Sequence, residues 1–67
     1  MTYEDFLVIV DEEAARNPQM RHAQVWFNML YMHRPELAHA ITGSGLKDPF
    51  YETVVPSQHH RYVETQW

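Results

Sequence analysis

Four prolines, at positions 18, 35, 49 and 56, set what this chain can fold into, because no uninterrupted helix or central strand runs through a proline. The residue before a proline avoids helical geometry, while proline itself suits the first position of a helix. Asn17-Pro18, Arg34-Pro35 and Asp48-Pro49 therefore each give a stop and a start in two residues. The hydrophobic spacing between them is helical. Tyr3, Phe6, Leu7, Val10 and Ala14 share one face, and Phe-Leu-Val-Ile-Val runs into Asp-Glu-Glu-Ala-Ala, a poor strand continuation and a good helical one. Thr2 with Asp5 forms a capping-box-like start, so the first helix is expected from Tyr3 to about Arg16.

A second helix is expected from Pro18, behind an Asn17 cap, to about His33. Ala23, Trp26, Phe27, Leu30 and Tyr31 form its apolar stripe, and Val25, Met29 and Met32 widen it, as in a central helix contacted on more than one side. A short third helix covers Pro35 to Ile41, with Gly43 as a left-handed terminator. Asp48-Pro49 then opens a single turn carrying Phe50 and Tyr51, and Glu52 to Val55 reads as extended. A last helix, from Pro56 or Ser57 to near Trp67, places His59, His60, Val63 and Trp67 along one side. The fold expected is all-α: a small compact bundle of three to four short helices, forming one domain over residues 1–67, with the second helix central.

Size makes that bundle marginal. A chain of 67 residues hides only about 60% of the surface its unfolded form exposes. Ordering it costs on the order of 100 kcal/mol at roughly 1.5 kcal/mol per residue. There is no cysteine to staple the fold, so the 13% aromatic content has to supply the core. The longest apolar run, Phe6 to Val10, is far short of the ~20 residues of a membrane span, and no membrane association is expected. The net charge is −4, with Glu4, Asp5, Asp11, Glu12 and Glu13 ahead of any base, which disfavours nucleic acid as a partner.

Five histidines raise the question of a metal. His22 and His33 lie about 16 Å apart along a helix axis, and His59 and His60 point about 100° apart, whereas a chelating helix uses the i, i+4 spacing. A site would need tertiary convergence, with His39 for example. No metal or other cofactor is expected. The consecutive acids splay around the first helix, and no nucleophile elbow or phosphate-cradling loop is present, so an enzyme is not expected either. Arg16, Arg21 and Arg34 near Trp26 and Tyr31 make a weak nucleic-acid surface, and Pro35 to Ile41 is too short for a recognition helix.

Other residues are better candidates for structural or interaction roles. Asn28, between Phe27 and Met29, is expected to be buried and bonded to backbone of the Gly43 to Asp48 segment. Arg34 is expected to pack against the helix corner and bond the last carbonyls of the second helix. Met20, Met29 and Met32 offer either core filling or an adaptable partner surface, and Trp67 is expected to dock into the fold.

The segment HAQVWFNMLYMHRPELAHAITGSGLKDPFY also resembles a family of short proteins of tailed bacteriophages and prophages. The matching residues are Gln24, Phe27, Asn28 and Leu30, then Arg34, Pro35, Leu37, Ala38 and Ile41, and finally Gly43, Ser44, Asp48, Pro49, Phe50 and Tyr51. Ala23 departs from the family's glycine, and Gly45-Leu46-Lys47 lengthens its spacer. The resemblance implies a phage protein of the host cytoplasm and brings no catalytic residues with it. By analogy, such a protein acts by binding a host or phage protein, in a host-takeover or counter-defence role. A homodimer that buries Val25, Met29 and Met32 is a further expectation. The alternatives are a nucleic-acid-associated factor, which salt-dependent retention on DNA or RNA would reveal, and a histidine-based metal protein, which metal stoichiometry would reveal.

Overall fold

A computed structural model describes residues 1–43 and 54–67. Four helices make up the described chain: α1 (Tyr3–Arg16), α2 (His22–His33), α3 (Pro35–Gly43) and α4 (Ser57–Gln66), with no strand among the described residues. The fold is a small all-α bundle. Thr2 caps α1 as its sequence indicates: its hydroxyl accepts from the Asp5 backbone N–H at 3.1 Å, and Asp5 Oδ2 accepts from the Thr2 N–H at 3.1 Å. Tyr3, Phe6 and Val10 are buried on the inner face of α1, with Leu7 and Ala14 packed beside them.

The second helix begins later than the proline suggests. Asn17 does not cap it; the Asn17 side chain instead finishes α1, donating to the Glu13 carbonyl at 2.9 Å and to Glu13 Oε1 at 3.2 Å. The Asn17 and Met20 backbone N–H groups close turns onto the carbonyls of Ala14 and Asn17, and α2 starts at His22. There Gln24 Oε1 accepts from the Arg21 N–H at 3.3 Å, satisfying one of the donors that a helix start leaves open.

Helix α2 is central. It packs against α1 and α3, and its Trp26 ring meets His60 of α4 at 5.8 Å. Ala23, Val25, Trp26, Phe27, Met29 and Leu30 are all buried. Taking Trp26 as the inward direction, these residues fall within about 100° on either side of it at 100° per residue, whereas Asn28 lies about 200° round and Tyr31 and Met32 lie beyond the inward sector. Asn28 is accordingly exposed rather than buried, so its expected role as a core amide is withdrawn. Val25 and Met29 belong to the interior, so of the three residues expected to be covered by a dimer only Met32, at 73% exposure, stands out on the surface. Tyr31 is likewise exposed, with its ring between Phe27 (5.0 Å) and His39 (5.3 Å).

Helix α3 follows α2 at once. Arg34 ends α2 through its N–H to the Leu30 carbonyl at 2.8 Å, while its own carbonyl accepts the N–H groups of Leu37 and Ala38. Leu37, Ala38 and Ile41 face inward. The helix runs on past Ile41 to Gly43, which does not take the left-handed backbone expected of a terminator. Within this extra half-turn Thr42 donates its hydroxyl to the His39 carbonyl at 2.9 Å. The expectations placed on Asp48, Phe50 and Tyr51 lie outside the described residues. Val55 is buried just before α4, whose His59 and Val63 are fully inside.

Candidate functional site

Two groups of side chains stand out, one internal and one on the surface. The internal group is built where α1, α2 and α4 meet. Trp26 Nε1–H donates to Tyr3 Oη at 3.1 Å, and Tyr3 Oη lies 2.6 Å from His60 Nδ1. The Tyr3 oxygen accepts from the indole and keeps its own proton, which it donates to His60 Nδ1 when the imidazole is neutral with its hydrogen on Nε2. Burial favours that state. It pushes the Tyr3 phenol up to about 12, with the nearby Glu64 charge acting the same way and the Trp26 hydrogen bond opposing it. The His60 imidazole is held below its ordinary value, first by burial and then by the neighbouring His22; Glu64 opposes this and His59 adds to it.

Trp67 packs against the same cluster. Its ring lies 5.6 Å from Tyr3 and 5.0 Å from Phe6, the Arg34 guanidinium sits 4.6 Å from its centroid, and its Nε1–H donates to the Met1 carbonyl at 2.8 Å. Three of the residues singled out from sequence, Trp26, Arg34 and Trp67, thus converge on the Tyr3 and Phe6 side of the core. Trp67 is docked, as expected. Arg34 also approaches the His33 carbonyl, at 3.5 Å, in keeping with its expected place at the helix corner. Trp26, at 0% exposure, is a core residue and has no surface to offer a partner.

The surface group lies between the end of α1 and the outer side of α2. Glu13, Asn17, Met20, Val25, Asn28, Met29 and Met32 line a groove of about 160 Å3 that brings three methionines together with two amides and a carboxylate. Glu13 is held there by Arg16 at 2.9 Å, and that hydrogen bond keeps its carboxyl below the usual range. Asn28, Met29 and Met32 come together here, and the structure adds Met20, Asn17 and Glu13 to them. At about 160 Å3 the groove is well below the ~300–1,000 Å3 of small-molecule sites and has the scale of a single large side chain.

The histidines do not assemble. His22 bonds Asp11 Oδ1 at 3.0 Å, His33 packs edge-on to Phe6 and His39 edge-on to Tyr31. Among the described residues no three His, Asp or Glu side chains come together as ligands for a metal ion. No helix among them is long and apolar enough to cross a membrane. What fold and site define is a small helical domain with a polar chain of hydrogen bonds through its core and a methionine groove on its surface. Comparison of the chain with protein-family models, with curated proteins and with solved structures finds no match.

Proposed function

We propose that this chain is a non-enzymatic bacteriophage protein that acts in the host cytoplasm by binding a host or phage protein. The methionine groove is the observation that carries this reading. Methionine is unbranched and polarizable, and adapts its shape to what it meets; Met20, Met29 and Met32 beside polar Asn17 and Asn28 have the composition of an interaction surface rather than of a reaction site. Met32 reaches from it into solvent. The phage origin rests on the resemblance that runs from Gln24 to Tyr51.

A host-takeover or counter-defence role follows if the partner is a host protein. The test is a pull-down from bacterial lysate with the native chain and with Met32→Lys, a change at an exposed position in the last turn of α2, where a cation and a good helix former are tolerated, so that stability is expected to stay within about 0.5 kcal/mol. A protein retained by the native chain and lost at least about tenfold by the variant, as when an interface anchor is replaced by a charge, is the expected result. Equal retention by both chains would remove the groove from the reading.

A further inference from the structure

The hydrogen-bonded chain in the core is also what ties α4 to the first two helices. Helix α2 packs closely on α1 and α3, whereas α4 packs chiefly on α3 and less extensively. Toward α1 and α2 it presents His60, whose ring stands edge-on to Tyr3 at 6.1 Å and to Trp26 at 5.8 Å. The Tyr3 to His60 bond at 2.6 Å works in one direction only. Tyr3 Oη accepts from the Trp26 indole, and among the described residues His60 Nδ1 is the acceptor for its proton. A second proton on the imidazole turns Nδ1 into a donor, so that two N–H groups meet one phenol oxygen and the phenol proton loses its acceptor.

We propose that His60 is an acid-sensitive latch: a proton taken up from solvent at Nδ1 releases α4 from α1 and α2, while α1, α2 and α3 stay packed together. The surroundings of the ring work in this direction. Burial opposes an imidazolium most, and His22 of α2 opposes it next; Glu64, one turn further along α4, favours it, and His59 on the same helix opposes it. His22 is itself paired with Asp11 of α1 at 3.0 Å, and the Tyr3 phenol stays neutral throughout the range in which His60 titrates. Release of one weakly packed helix costs less than unfolding the whole chain, so α4 is the element that yields first. Because the folded His60 lies below its ordinary 6.5, the latch holds fully above 6.5 and loosens as pH falls through the folded value. The proposal is independent of the methionine groove, to which α4 contributes no residue.

Amide hydrogen exchange of the full chain, read residue by residue by NMR and divided by the rates of unstructured peptides at the same pH, provides the test. From about pH 7.5 to about pH 5, above the range where ordinary carboxylates titrate, protection is expected to fall at Tyr62 and Val63 of α4 and to hold at Trp26 and Leu30 of α2. His60→Asn should abolish that fall, since its amide oxygen can accept from Tyr3 but takes up no proton. His22→Gln leaves the Trp26, Tyr3 and His60 bonds in place and removes one opposing charge, so it should make the fall smaller. It keeps the test decisive if His60→Asn does not fold. Protection lost equally in α2 and α4 would mean that acid unfolds the whole chain, and would overturn the proposal. So would α4 protection that does not change with pH, or a fall as large in the variants as in the native chain.

Discussion

Trp26→Ala is expected to abolish cooperative folding. The indole is completely buried in the central helix, and its ring contacts Phe27 and His60. Truncating a buried tryptophan to alanine costs about 3–5 kcal/mol. A domain of 67 residues has roughly 3–10 kcal/mol in all, at 0.05–0.15 kcal/mol per residue. The change also takes the indole donor from Tyr3 Oη. Circular dichroism should show a broad, shallow melt where the native chain gives a sharp one. Trp26→Phe, which keeps most of the apolar volume, should retain a sharp transition at lower temperature. If Trp26→Ala melted cooperatively within a few degrees of the native chain, the core described here would be wrong.

Tyr3→Phe should cost less but leave a clearer signature. The ring and its contacts with Phe6 and Trp67 stay, while the Trp26 N–H and His60 Nδ1 both lose their partner. Leaving buried polar groups unpaired costs about 1–3 kcal/mol. In the native chain the two titratable members of this chain of bonds bracket a pH range. His60 is held below its ordinary 6.5, so the unfolded state takes up the proton first; its contribution is fully present above 6.5 and is lost as pH falls through the depressed folded value. Tyr3 is raised from 10.0 to about 12, so its contribution is fully present below 10.0 and is lost as pH rises toward 12. Native stability should therefore be greatest between these limits. Tyr3→Phe should lower that plateau and remove the alkaline loss due to Tyr3, while the acid loss persists, because burial is the largest cause of the His60 shift. Denaturant midpoints across pH for both chains check this. An unchanged alkaline limb in the variant would contradict the role given to Tyr3.

Much of the fold is legible in local chemistry. Thr2 and Asp5 define the start of α1 because a capping box needs only neighbouring residues, and Arg34-Pro35 defines the α2–α3 joint because proline acts through its own backbone. Pro18 misleads for a physical reason. The Asn17 side chain can satisfy either the helix behind it or the one ahead, and it bonds Glu13, moving the start of α2 to His22. Gly43 misleads likewise, since permission to turn left-handed is no obligation to do so.

The candidate site was less legible. Asn28 sits between two buried residues in sequence yet points away from both, a matter of helical phase that its apolar neighbours conceal. The Tyr3, Trp26 and His60 chain joins residues 23 and 57 positions apart, and no local pattern announces it; the one signal was a tyrosine hydroxyl and a histidine on otherwise apolar faces. The methionine groove was half visible. Met20, Met29 and Met32 were legible as an adaptable set, but Glu13 and Asn17 join them only because α1 ends beside α2.

Whether this chain meets another protein at the groove is tested most directly by site-specific photo-crosslinking in bacterial cells. A benzophenone amino acid is placed at position 32, and for comparison at Gln58, an exposed position on α4 that takes no part in the groove. A discrete adduct heavier than the chain, formed from position 32 and absent from position 58, is the predicted result. No adduct from position 32, or the same adducts from both positions, would contradict it.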